Sequence, residues 1–452
     1  MKITVAGCGK IGMEIVGALS AEGHDVVAVD IDADVVNLTT NVYDVMGVIG
    51  NASDYETLVE ANVEKADIFV ACMDSDEQNM LACFLAKKMG AENTIARIRN
   101  PEYNDNSLGF LRKHLELSLA LNPELLTAQE MYNILKFPSA VRIESFSRRN
   151  LEMIEIIIPQ GSELDGMNLI KVREKFNANF LVCCVQRGSE VYIPSGTFEL
   201  KAGDKIGITA SLTEMSKLLK MVGVLKKKAK HTMILGGSKI AFYLAALINR
   251  SGGYSKIIDK NKARCEELAG LLPGTSIIYG DGMQQELLLE EGIESADAFV
   301  SLTGFDEENI LTAIFASMQN VPKVIAKVNR DELVEMATKI GVECVVSPKD
   351  ITSSVVVKYA RALENSVGSS VETLYKLMDG KVEALEFLVN SESKLTGIPL
   401  KSLELKKGIL IAGIMRGRKT IIPSGNDVIN VGDRVVVISG NLGLGDLVDI
   451  LA

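Results

Sequence analysis

Only three histidines occur in 452 residues, and none of the seven cysteines forms a C-x-x-C pair. A zinc cluster therefore lacks ligands. The odd cysteine count, with Cys8, Cys72 and Cys83 in apolar segments, reads as buried thiols in a reducing compartment. No apolar run reaches the roughly 18 residues a membrane span requires, so a role in transport would need a separate membrane subunit. Met1-Lys2-Ile3 leads straight into a strand and leaves no room for a secretory leader. Positive charge is also short: 48 basic against 59 acidic residues give a net charge of −11, which disfavours nucleic acid as a partner. The basic run Lys226-Lys227-Lys228-Ala229-Lys230 reads as a solvated linker, with a membrane-surface contact as the other reading. No P-loop lysine motif is present, so ATP hydrolysis has no machinery.

What the chain does have, it has twice. Gly7-Cys8-Gly9-Lys10-Ile11-Gly12 is matched 229 residues later by Gly236-Gly237-Ser238-Lys239-Ile240-Ala241. Asp30 and Asp259 keep the same spacing, as do Pro194 and Pro423, and the Gly-Asp pairs 203/204 and 432/433. Those pairs precede strands and are read as turns.

Each repeat opens with apolar strands alternating with helices. The expected strands are 2–6, 26–29, 45–49, 68–72 and 94–98, then 232–235, 256–258, 276–279, 298–302 and 323–328. Such alternation implies a parallel sheet covered on both faces. A helix after a proline closes each unit, over 123–135 and 348–363. The texture then changes to antiparallel strands at 151–158, 180–187, 190–194 and 204–210, echoed in 381–452. The expected fold is α/β: Rossmann-like domains at 1–137 and 231–363 alternate with small α+β domains at 138–225 and 370–452.

The first turn carries the chemistry. Gly7 makes the turn, Gly9 lets backbone approach a pyrophosphate, and Gly12 packs helix on strand. The helix N-terminus offers N–H groups to the anion. Asp30, closing the second strand, should accept hydrogen bonds from both ribose hydroxyls and repel a 2′-phosphate. NAD(H) is favoured over NADP(H), while ATP and ADP share the same ribose. Asn51 and Ala52 end the third strand, where adenine would lie, and Met73 and Asp74 end the fourth. Arg97 ends the fifth, placed to hold phosphate or a neighbouring subunit, or to form a surface ion pair.

In the second copy Ser238 and Ala241 replace two glycines, and Ser238 puts a Cβ where backbone should meet pyrophosphate. Asp259 remains, and Lys239, Lys260 and Lys262 could attract phosphate, so ligand binding and a structural role both stay open. Tyr132 and Lys136 have the spacing of a short-chain dehydrogenase pair. They lie on the linking helix beyond the sheet, and the glycine pattern differs, so the match reads as coincidence.

The glycine loops, Asp30, Gly50-Asn51-Ala52 and the fourfold domain order together resemble the TrkA family over essentially the whole chain. Its members are cytoplasmic nucleotide-binding subunits of Trk potassium uptake systems, built from two tandem RCK, or KTN, domains. The resemblance implies a ring of RCK domains, peripheral on the cytoplasmic face of a TrkH- or TrkG-like membrane subunit. Carried over, Gly7 to Ile11, Asp30, Met73, Asp74 and Arg97 would line one nucleotide site. Gly236, Gly237, Ser238, Lys239, Ile240 and Asp259 would line a second. Many relatives have an acid where this chain has Asn51; the second copy has Asp281. The expected role is regulatory and non-catalytic. The competing readings are an NAD-dependent oxidoreductase and a nucleotide sensor for another transporter.

Overall fold

The computed structural model describes all residues except 104, 137–140, 147–150, 177–178, 222–228, 366–370, 379, 418 and 441–443. The lysines 226 to 228 of the basic run lie outside the described residues. The chain folds as two compact units, one formed by Met1–Tyr132 with Lys230–Ala360, the other by Asn133–Ala229 with Arg361–Ala452.

The first copy runs β1 (Lys2–Ala6), α1 (Lys10–Ala21), β2 (Asp25–Asp30), α2 (Ala33–Tyr43), β3 (Met46–Ile49) and α3 (Tyr55–Glu60). It continues with β4 (Ile68–Ala71), α4 (Asp76–Met89), β5 (Asn93–Arg97), α5 (Asp105–His114), β6 (Leu119–Leu121) and α6 (Pro123–Lys136). Its strands are all parallel, in the order β3-β2-β1-β4-β5-β6. The order reverses between β1 and β4, the crevice where such sheets bind ligands.

The small module that follows has β7 (Arg142–Phe146), β8 (Leu151–Ile157), α7 (Leu169–Phe176), β9 (Phe180–Arg187), β10 (Glu190–Tyr192), β11 (Lys205–Ala210) and α8 (Leu212–Met221). The second copy has β12 (His231–Leu235), α9 (Lys239–Arg250), β13 (Tyr254–Asp259), α10 (Lys262–Leu271), β14 (Thr275–Tyr279) and α11 (Gln285–Glu290). Then come β15 (Ala298–Ser301), α12 (Asp306–Met318), β16 (Lys323–Lys327), α13 (Asp331–Lys339), β17 (Cys344–Val346) and α14 (Pro348–Asn365). The last module is β18 (Val371–Leu377), β19 (Val382–Leu388), β20 (Ile409–Arg416), β21 (Lys419–Ile421) and β22 (Arg434–Ser439). The second copy repeats the first sheet order, and both small modules are five-stranded antiparallel sheets.

Several expectations are corrected. Each parallel sheet has a sixth strand, β6 and β17, that the sequence reading lacks. Three residues are too few to show periodicity, and pairing with β5 or β16 makes them strands. β3 stops at Ile49, so Asn51 and Ala52 sit in the loop beyond it. β11 begins at Lys205 because Asp204 is used otherwise: it is buried and takes a bidentate hydrogen-bonded pair from Arg187 at 2.7 Å. Asp433 does the same with Arg416. The preceding glycines have φ of +86° and +87°, as a tight turn requires.

Within the second unit the two small modules share a core. Phe146, Met153 and Cys184 from one pack with Met378, Ala384 and Met415 from the other. Thr209 Oγ1 donates to Ala412 O at 2.9 Å, and Met378 N–H donates to Glu155 Oε1 at 3.1 Å. All seven cysteines are buried free thiols.

Candidate nucleotide site

The three glycines of the first loop serve different ends. Gly7 has φ +89°, and a Cβ there would lie 2.7 Å from Met73 N, so the close approach of the loops after β1 and β4 demands glycine. A Cβ on Gly12 would meet Gly7 O at 1.8 Å, so α1 can begin against the loop only without one. Gly9 is another matter. Its backbone (φ −64°, ψ −171°) suits any residue, and beyond its chain neighbours no atom of the described residues lies within 4 Å of where its Cβ would be. Nothing inside the protein requires glycine there; the space in front of it is open. No side chain caps α1, so its first N–H groups face that space.

Asp30 braces the loop. Its Oδ2 accepts the Cys8 N–H at 2.6 Å and its Oδ1 the Asp32 N–H at 3.0 Å. Each oxygen keeps a lone pair, so the expected ribose contacts would be added to this bracing. The Cys8 side chain turns inward, and burial, then the Asp30 charge, pushes its thiol up to about 12. It can meet a ligand only through backbone. Lys10 is exposed and Ile11 half-buried. Asn51 is exposed, with Oδ1 accepting from Ser53 N–H at 2.9 Å. Ala52 is in the core and presents no side chain to the crevice. Met73 N–H donates to Asn79 Oδ1 at 2.8 Å, and Asp74 is exposed.

Arg97 departs from the surface-pair alternative. Its side chain is only 12% exposed, and Glu124 Oε1 is 4.0 Å away, too far for a hydrogen bond. Its Nε is buried with no hydrogen-bond partner among the described residues. Burial, then the charge of Arg99, pulls the guanidinium down from its usual value. A buried cation so weakly held favours an anion beside it.

The second copy fills the same places with its own atoms. Ser238 keeps the backbone of Gly9 (φ −66°, ψ 171°), and its Oγ accepts the Ala241 N–H at 3.3 Å, capping α9. Asp259 accepts N–H from Gly237 at 2.5 Å and from Asn261 at 2.7 Å. Gly236, with φ +95°, makes the turn, while Lys239 is exposed and Ile240 buried. Arg264 Nε donates to Gly237 O at 2.6 Å. Lys327 stands in the place of Arg97, but its Nζ already donates to Thr303 O at 2.6 Å.

Family models for the TrkA-N domain match residues 3–110 and 232–348, and those for the TrkA-C domain match 153–223 and 384–449. The Trk system potassium uptake protein TrkA homolog of Archaeoglobus fulgidus is 32% identical over 438 residues, covering 97% of each chain.

The chain belongs to the TrkA family.

The TrkA of Vibrio alginolyticus is 30% identical over 444 residues, 97% of this chain and 95% of that protein. A solved structure described as the GsuK channel bound to NAD shares the fold: its TM-score is 0.63 at 16% identity, covering 98% of this chain and 77% of that one. The GsuK RCK domain gives a TM-score of 0.62 at 16% identity, covering 98% of this chain and 93% of that one.

Within this TrkA-type pair of Rossmann domains, the two copies touch. Lys349 Nζ donates to Glu14 in α1 and to Asp331, both at 2.9 Å. On the other side Asn122 Nδ2 donates to Tyr243 OH at 3.1 Å, and that hydroxyl donates to Arg99 O at 3.4 Å. Burial pulls Lys327 down, Asp306 opposes this, and the charge of Lys10 from the first copy adds to the fall. The sequence reading missed Arg99, Glu124 and Arg264, because their parts depend on partners distant in sequence. It also missed Ile31, which follows Asp30 and is 74% exposed. The signal for it was available: an apolar residue just past the acid that closes the second strand.

Proposed function

We propose that the chain is the nucleotide-sensing regulatory subunit of a Trk-type potassium uptake system. The carrying observation is the open space before Gly9, at the uncapped head of α1 and beside Asp30. Family membership supports the transport setting, since the relatives are named Trk system potassium uptake proteins. Among the described residues no helix is long and apolar enough to cross a membrane. In this reading the ion path belongs to a TrkH- or TrkG-like partner.

In this reading the pyrophosphate lies against Gly7, Cys8, Gly9 and the N-terminus of α1, beside Lys10, Ile11 and Gly12. Asp30 takes the ribose. Ile31 and Asn51 flank the adenine, the loop at Met73 and Asp74 borders the ligand's middle, and Arg97 takes negative charge. NAD(H) fits these positions, and ATP or ADP shares the adenosine half. Solved GsuK structures bound to NAD and to ADP support the choice of these ligands. The residues of the second site, Gly236 to Ile240 with Asp259, are proposed to act mainly as structure, because Ser238 and Arg264 occupy it.

No chemical step is needed. A nucleotide that binds one arrangement of an RCK ring better than another shifts the ring by that difference alone. If the membrane subunit also prefers one arrangement, each ligand changes the affinity for the other by the same factor. Titration of the full chain with NADH, NAD, ATP and ADP tests the reading, with Asp30→Ala expected to weaken binding. Unchanged affinity in that variant would overturn the site. Substrate-dependent formation of NADH from NAD would overturn the regulatory role.

A further inference from the structure

The free edge of the first parallel sheet differs in charge from its counterpart in the second copy. β3 ends the sheet and pairs only with β2. On the three elements that form this edge, six large apolar side chains are at least half exposed: Leu38 and Val42 on α2, Met46 and Ile49 on β3, Tyr55 and Val59 on α3. Scattered exposed apolar residues need no explanation, but Leu38 and Val42 lie one turn apart on α2, as do Tyr55 and Val59 on α3, and such grouping marks an interface.

The charge carried by these elements and their connecting loops has a single sign. Between His24 and Lys65 the sequence has nine acidic residues and no lysine, arginine or histidine. Asp34, Asp44, Glu56 and Glu60 are exposed on or beside α2 and α3, and none has an ion-pair partner among the described residues. The matching stretch of the second copy has Lys256, Lys260, Lys262 and Arg264. The acidic edge is therefore not a requirement of the fold.

We propose that this edge docks a basic protein surface, the Lys/Arg-rich cytoplasmic loops of the potassium-translocating membrane subunit. The proposal rests on the Trk-type reading above. An apolar centre with a polar rim has the anatomy of a protein interface. Cytoplasmic loops of membrane proteins carry excess lysine and arginine, so the charges are complementary. A second copy of the same edge would set acid against acid, and an anionic lipid surface would be repelled. The edge also ends at Asp30 and Asn51, the adenosine side of the nucleotide site. A partner seated here would touch the elements that hold the ligand.

The test uses the full chain and an immobilised, detergent-solubilised Trk-type membrane subunit from the same genome. Glu56→Lys with Glu60→Lys should weaken capture at least about tenfold, and so should Leu38→Ser with Val59→Ser. Wild-type capture should weaken as salt rises from about 0.15 to 0.5 M, where screening shortens from about 8 Å toward 3 Å. The matching second-copy variant, Glu286→Lys with Glu290→Lys, should be captured normally. NADH affinity should stay within about twofold in all of them, which shows that each is folded. Normal capture of the Glu56/Glu60 variant would overturn the proposal. A change in the molecular mass of its assembly would overturn it too, by making the edge a contact between copies. Failure to capture even the wild type would bring down the Trk-type reading itself.

Discussion

Gly9→Ala separates the two reasons a glycine is found in such a loop. The backbone at Gly9 is open to any residue, and the new methyl would meet no protein atom within 4 Å. The apo protein should therefore unfold in urea at the same point, or later by up to about 1 kcal/mol, since alanine restricts the unfolded chain. The ligand should suffer instead. The methyl stands where a pyrophosphate must approach the N–H groups of α1. Losing one hydrogen bond to a charged group costs about 1.5–3 kcal/mol. At 1.4 kcal/mol per decade, affinity should fall about 10- to 150-fold. Thermal shift reads both effects together. Nucleotide at 100 times the wild-type Kd should stabilise the wild type by about 2.7 kcal/mol, but a variant 30-fold weaker by only about 0.9 kcal/mol. Unchanged affinity would mean that no anion sits at the head of α1. A destabilised apo protein would mean that the space before Gly9 is needed by the protein itself.

Gly7→Ala should show the opposite pattern, losing about 1–3 kcal/mol of stability in urea because φ is +89° and Met73 N is 2.7 Å from the new Cβ. Ser238→Ala should cost about 1 kcal/mol through the lost cap on α9, with no change in the amount of nucleotide bound per chain by calorimetry. Thr209→Val should cost about 1–2 kcal/mol, because Ala412 O loses its donor inside the core joining the small modules. Arg97→Met should weaken nucleotide binding with little change in apo stability, since Glu124 at 4.0 Å makes no hydrogen bond with the guanidinium; a clear loss of apo stability would return Arg97 to a structural ion pair.

The features legible in the sequence were those set by local spacing. The glycine loops, the acids closing β2 and β13, and the alternation of strand and helix each depend on a few consecutive residues. The 229-residue repeat then allowed one copy to be compared with the other. Features set by distant contacts were not legible. The strands β6 and β17 exist only through pairing with their neighbours. Arg97 is buried because β5 brings it under α6, near Glu124, and a single arginine at a strand end does not announce that. Arg264 bonds Gly237 O from 27 residues away, although the loss of Gly9's counterpart was plain from Ser238. The side-chain direction of Ala52 was hidden for a simpler reason: an alanine three residues past a strand can face the crevice or the core, and here it faces the core.

The two Rossmann copies have diverged at the site while staying joined. In the first, the head of α1 is uncapped and Arg97 lacks a close partner. In the second, Ser238 caps the helix and Lys327 is already bonded. On the proposed reading the same needs are met by a ligand in one case and by the chain's own atoms in the other. On the proposed reading the second copy has less demand for a ligand, yet it does not become dispensable. Glu14 lies one turn along α1 from Lys10, and Lys349 ties it to Asp331 of the second copy. An anion arriving at the head of α1 therefore acts on a helix whose next turn is already fixed to the other domain. On that reading the capped copy is the body against which the open copy would register its ligand, and a difference in affinity between two arrangements of that pair is all that regulation requires.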